Sequence, residues 1–145
     1  CRTFRRIRDN DKKTILKNTQ QIDMKISWIT IYVRDMEESL QFYTQILGLE
    51  VKRTFSAGPG MEICFMEGNG TDLELICNTE HKDVAYGQDI SVGFTVESLD
   101  DTIAYLKEKG ITRIIGPVSP DPGIRFIFIF DPNGLKIQLA EQKIS

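Results

Sequence analysis

Histidine is almost missing from this chain of 145 residues; His81 is the only one. Zinc, nickel and iron sites lean on imidazole, so a His-rich metal centre is excluded, and so is a Ser-His or Cys-His nucleophilic pair built from neighbouring residues. His81 itself lies in a stretch without periodicity and is expected to be a solvated loop residue. Cysteine is scarce too: Cys1, Cys64 and Cys77 are odd in number and show no C-x-x-C spacing, which argues against a disulfide framework or a structural zinc. Cys64 and Cys77 are expected to act as small buried hydrophobes. No apolar run approaches the roughly 20 residues of a membrane helix, and no apolar h-region follows the basic start, so neither insertion nor secretion is supported. A cytoplasmic location is the expectation.

What is present is ordinary for a globular domain, with 41% hydrophobic and 27% charged residues. The net charge of −3 is unevenly spread. Residues 1–23 hold seven Lys or Arg against three Asp, leaving eleven basic against eighteen acidic residues in 24–145. An acidic body with scattered basic residues does not form a nucleic-acid footprint, and at long range it favours cationic ligands. Residues 1–23 read as a basic leader or extension attached to a domain that spans 24–145; the alternative is a basic arm that binds an acidic partner.

Alternation from Ile26 to Val33 predicts a strand, with Ile29, Ile31 and Val33 on one face and Trp28, Thr30 and Tyr32 on the other. Asp35, with Glu38 three residues on, caps a helix whose stripe is Met36, Leu40, Tyr43 and Leu47, and Gly48 ends it. Strands follow at 49–56, 61–67 and 71–78, then a linker over 79–89. The order then repeats: a strand at 90–97, a helix capped by Ser98 with stripe Leu99, Ile103 and Leu106, and strands at 111–118, 124–130 and from Leu135. The segment Pro117–Gly123 holds three prolines and reads as a stiff extended loop. Asp131-Pro132-Asn133-Gly134 is a tight reversal between the last two strands.

Met36 and Leu99, Leu40 and Ile103, and Tyr43 and Leu106 are each 63 positions apart, while Asn69-Gly70 and Asn133-Gly134 are 64 apart. Matches across a helix stripe and a turn indicate two copies of a β-α-β-β-β unit. The fold class is therefore α+β. Two paired modules, about 24–78 and 90–145, are expected to form one curved, cup-shaped mixed sheet with helices outside.

If the helices cover the apolar strand faces, the other faces line the cup. Its first strands then present Trp28, Thr30 and Tyr32, and Ser91, Gly93 and Thr95. Its last strands present Asp72, Glu74 and Ile76, and Lys136, Gln138 and Ala140. Half-polar lining suits a small-molecule pocket. The candidate ligand-binding residues are Trp28, Thr30, Tyr32, Glu74, Ser91, Thr95, Lys136 and Gln138. Glu74 is the one candidate for catalysis, as a general base.

The duplication, Asp35 with Ser39, Phe42, Tyr43, Leu47 and Gly48, and the closing Asp131–Gly134 turn with Ile137 and Leu139 resemble the vicinal oxygen chelate superfamily over residues 24–145. That superfamily includes glyoxalase I, extradiol dioxygenases, methylmalonyl-CoA epimerase, and the fosfomycin and bleomycin resistance proteins. For metal-dependent members the resemblance implies His and Glu ligands at the positions of Trp28, Glu74, Ser91 and Gln138, of which only Glu74 has the expected type. No metal or other cofactor is therefore expected. The resemblance also implies a homodimer in which loops of one chain rim the cup of the other.

The preferred expectation is a small-molecule-binding protein of bleomycin-resistance type, sequestering a cationic or aromatic compound without metal chemistry. Trp28 either stacks on that ligand or fills space left by a lost metal. The alternative is a glyoxalase I-like lyase or isomerase, with a divalent metal in an atypical site or with Glu74 as base.

Overall fold

The computed structural model describes residues 22–143, so the basic leader up to residue 21, with Cys1, lies outside the described residues. Eleven elements follow in order. The first copy is β1 (Trp28–Tyr32), α1 (Met36–Gln41) continued by a π-helical turn (Phe42–Ile46), β2 (Val51–Ser56), β3 (Met61–Met66) and β4 (Asp72–Asn78). The second is β5 (Ser91–Thr95), α2 (Leu99–Glu108), β6 (Ile115–Asp121), β7 (Ile124–Phe130) and β8 (Lys136–Gln142). No helix among the described residues is long and apolar enough to cross a membrane.

The copies have the same topology, and the fold is α+β. The strands form two four-stranded mixed sheets, one per half, in the orders β1-β4-β3-β2 and β5-β8-β7-β6. In each half the first strand runs parallel to the last, and the three later strands are antiparallel neighbours. A helix separates each first strand from the rest, and such a crossover is what permits the parallel pair.

Both helices start where the capping residues lie. The Asp35 carboxylate accepts from the Glu38 N–H at 3.2 Å, and Ser98 Oγ accepts from the Asp101 N–H at 3.2 Å. After Gln41 the first helix widens, and the Leu47 N–H donates to the Phe42 carbonyl five residues back at 3.1 Å. Gly48, at φ +75°, then turns the chain out. Phe42 and Tyr43 are both buried by this turn.

The apolar faces of both halves meet the helices in one cluster. Cys64, Met66 and Leu75 come from the first half, Ile127, Ile137 and Leu139 from the second, and Tyr43, Leu99 and Leu106 from the helices. Cys64 is a buried hydrophobe as expected; Cys77 is half-buried, its Sγ 3.6 Å from the Arg34 carbonyl oxygen.

One segment departs from expectation. The proline-bearing segment is not a loop: β6 begins at Ile115, four residues later than anticipated, and carries Pro117 and Pro120. This strand is an edge, exposed throughout, and it meets β7 only at three register positions separated by slips. A residue without N–H loses no ladder bond where the strand has no outer neighbour. The linker after β4 forms no helix or named strand, yet it is anchored. Lys82 Nζ donates to the Arg34 carbonyl at 2.8 Å, and the Tyr86 hydroxyl donates to the Tyr32 carbonyl.

The turn between β7 and β8 joins the copies. Gly134 adopts φ +90°, which lets the chain reverse within four residues. Asp131 Oδ1 accepts from the N–H groups of Asn133 and Leu135, both at 2.8 Å, and Oδ2 accepts from the Tyr43 hydroxyl at 2.7 Å. Asn133 Oδ1 accepts from the Arg34 N–H at 3.0 Å, and its Nδ2 donates to Ser39 Oγ at 3.1 Å. Burial, with the Asp131 charge beside it, pushes the Tyr43 phenol far above its ordinary range; burial and the same charge push Tyr86 up as well.

Tyr43→Phe leaves one oxygen of a buried carboxylate unpaired and should cost about 1.5–3 kcal/mol in urea unfolding. The phenols also set a pH dependence. The folded chain keeps protons that the unfolded chain releases near the ordinary tyrosine value of 10.0, so stability is full below that pH and falls as pH rises past it. This alkaline slope should be shallower in Tyr43→Phe.

Candidate functional site

Strand alternation puts the candidate residues on the sheet faces turned away from the helices. In the first half, register places Trp28 beside Asp72, Thr30 beside Glu74, and Tyr32 beside Ile76. The next strand adds Phe65 beside Glu74 and Ile63 beside Ile76. Ile63, Phe65 and Ile76 form a small apolar cluster of their own, separate from the main core. Trp28 stands edge-on to Phe65 at 5.9 Å between ring centres and is 55% exposed, so it is not filling an internal void. Phe55 lies nearly parallel to Phe65 at 6.4 Å, and the Arg53 guanidinium sits 4.5 Å from the Phe65 ring centre.

Two carboxylates share this face, and both are engaged. Thr30 Oγ1 donates to the Glu74 carboxylate. Asp72 pairs with Lys52 at 2.9 Å, and that bond, together with the Gly68 N–H, holds its carboxyl below the usual carboxylate range. The lone histidine is an exposed loop residue, as expected. Its ring packs edge-on against Tyr32 at 4.9 Å, where a bridge between Asn78 and His81 folds the linker back onto β4.

The second half carries the other candidates in the same pattern. Ser91 is beside Lys136, Gly93 beside Gln138, and Thr95 beside Ala140. Phe126, Phe128 and Phe130 of β7 line up beside Ala140, Gln138 and Lys136. Lys136 Nζ lies 4.7 Å from the centre of the Phe128 ring, and the Arg113 guanidinium lies 3.7 Å from that of Phe130. The eight candidates thus fall into two groups of four. Among the described residues no hydrogen bond, ion pair or aromatic contact links one group to the other. A cleft of about 830 Å³ opens elsewhere, between the Ile46–Leu49 segment, β5 and α2, and of the candidates only Thr95 lines it.

Several residues of these faces were not anticipated: Arg53 and Phe55 on β2 and Phe65 on β3 in the first half, and Phe128 and Phe130 on β7 with Arg113 from the loop before β6 in the second. The alternation of FIFIF at 126–130 carried the signal for the β7 phenylalanines. The arginines had little, because the rings they lie closest to, Phe65 and Phe130, are brought beside them only by the fold.

The positions at which metal-dependent relatives hold a cation do not suit one here. The Trp28 indole has no free lone pair, and Ser91 and Gln138 offer only a neutral hydroxyl and an amide. Glu74 is the one anionic donor of the four, and no group of three or more His, Cys, Asp or Glu side chains converges among the described residues. One carboxylate does not compete with water for a divalent transition metal.

Residues 25–139 match the family described as the Glyoxalase/Bleomycin resistance protein/Dioxygenase superfamily. The lactoylglutathione lyase of Salmonella typhimurium is 31% identical over 133 residues, covering 83% of this chain and 94% of that protein. A Bacillus subtilis relative, "Uncharacterized protein YwkD", is 34% identical over 125 residues, covering 81% of this chain and 96% of its own. Among solved structures, the trypanothione-dependent glyoxalase I of Leishmania major aligns with a TM-score of 0.69 at 23% identity, over 83% of this chain and 88% of that one. TnmS3, an antibiotic binding protein from a Streptomyces species, aligns with a TM-score of 0.66 at 20% identity, over 85% and 99%. At such identities the two structures speak for the fold alone.

The donor chemistry leads to a direct expectation. Equilibrium dialysis against Zn²⁺ or Ni²⁺ should give no tight stoichiometric binding, and Glu74→Gln should behave as the parent does. One metal bound per chain and lost in Glu74→Gln would overturn it.

Proposed function

The chain belongs to the Glyoxalase/Bleomycin resistance protein/Dioxygenase superfamily, and from that premise we propose that it is a small-molecule-binding member that holds a flat aromatic ligand against its sheet faces without metal chemistry. The observation that carries the reading is the exposed aromatic floor of the first half. Trp28 and Phe55, 55% and 44% exposed, flank the buried Phe65, and Arg53 lies over the same ring. Large aromatic surface left open to water gains by being covered, at about 25 cal/mol per Å². The cationic preference expected from the acidic body depends on Glu74, whose carboxylate already accepts from Thr30.

A homodimer belongs to the same proposal. The candidate residues of one chain stand in two unlinked groups, and exposed Trp28, Phe55, Ile115 and Val118 leave both faces uncovered. A second copy would supply the opposing wall of each half-site.

A glyoxalase I-like lyase or isomerase is the second reading, favoured by the 31% identity to a lactoylglutathione lyase over most of both chains. In it Glu74 is the base, with the Thr30 hydroxyl positioning its carboxylate.

Trp28 is the sole tryptophan, so its emission reports directly on the first face. Aromatic ligands should quench it saturably, and Phe55→Ala should weaken the response about three- to tenfold. A flat response across a broad aromatic panel would sink the binding reading. Turnover of methylglyoxal with glutathione, abolished by Glu74→Gln, would put the second reading in its place.

A further inference from the structure

The two copies have kept their backbone and diverged in charge. Position for position, Asp72 of the first half becomes Lys136 in the second, and Glu74 becomes Gln138, each 64 residues on. The second face has no acidic position on its two parallel strands: β5 presents Ser91, Gly93 and Thr95, and β8 presents Lys136, Gln138 and Ala140. The neighbouring strand β7 adds Phe126, Phe128 and Phe130 at alternate positions.

Both cations of this face are held at one end of it. Phe130 is the cross-strand partner of Lys136, and the Arg113 guanidinium covers the Phe130 ring, while Lys136 leans diagonally over Phe128. Ring faces orient these cations without neutralising them. The ion pairs among the described residues use Lys52 and Arg125, with neither Lys136 nor Arg113 taking part. Two unneutralised cations over aromatic rings, beside a neutral amide, form a receptor for a planar anion. Gly93 keeps the neighbouring floor low: a Cβ built there would meet only Gln138 Oε1, at an ordinary 3.6 Å.

We propose that the face of β5, β8 and β7 binds aromatic carboxylates, with the carboxylate at Lys136 and Arg113 and the ring lying along Phe128, Gln138 and Gly93. The inference rests on the small-molecule-binding reading and specifies the charge of the ligand for the second half. It runs against the sign of the whole body, because groups in contact outweigh scattered charges that salt screens.

The test compares three probes of one shape on the full chain by isothermal titration calorimetry: 2-naphthoate, 2-naphthamide and 2-naphthylmethylamine. Naphthoate should bind about tenfold more tightly than naphthamide, and the amine more weakly than either. Lys136→Gln and Arg113→Gln should each remove most of that preference, and added salt should shrink it. Lys109→Gln removes a cation that also lies over a ring, that of Tyr105, but away from this face, and should change nothing. Arg113 lies in the loop before β6 and keeps the test available should Lys136→Gln fail to fold. Equal affinities for naphthoate and naphthamide, tightest binding of the amine, or a preference unaltered in Arg113→Gln would overturn the charge assignment and leave the binding reading standing. Failure of all three probes to bind would overturn the charge assignment, with the binding reading then judged by Trp28 quenching.

Discussion

The Asp131 carboxylate is the point on which the architecture depends. It sits in the turn between the last two strands, accepts two backbone N–H groups of that turn, and takes the hydroxyl of Tyr43 from the first copy's helix, 88 residues away in sequence. A buried charge is costly unless its lone pairs are occupied, and here three donors occupy them. The same turn sends Asn133 to Arg34 and Ser39, so the junction of β1 and α1 is gripped by the second copy's hairpin. Neither copy buries its apolar sheet face alone. The carboxylate therefore sets how the two cores become one.

With the apolar faces committed to that shared core, the opposite faces are left open and free to diverge. The first has an aromatic floor with Arg53 over it and a glutamate engaged by Thr30. The second has a phenylalanine ladder crossed by Lys136 and Arg113. Of the four positions at which the resemblance implies ligands in metal-dependent relatives, only Glu74 on the first face keeps the expected type. The two faces thus differ in the rings and charges they present: Arg53 and Glu74 on the first, Lys136 and Arg113 on the second.

Much of this was legible in local pattern. Alternation marked nearly every strand, Asp35 and Ser98 marked both helix starts, and the 63-residue offset identified the duplication. Because strand side chains alternate strictly, the face occupied by Trp28, Thr30 and Glu74 followed from the sequence alone. The pattern failed at β6, where prolines read as a loop, since a sequence does not say which strand lies at an edge. His81 is an exposed loop residue as the sequence implied, but its contact with Tyr32 was not legible, because nothing local shows that the linker turns back onto β1.

The sequence by itself thus determined the repeat, the class of fold, and which side chains of the first and last strands of each copy turn away from the core. Tertiary structure decided the rest: the grip of Asp131 on Tyr43, the seating of Arg53 and Arg113 over rings, and the separation of the candidates into two groups. Alternation and capping are properties of neighbouring residues, whereas register between strands far apart in the chain exists only once the sheets have formed.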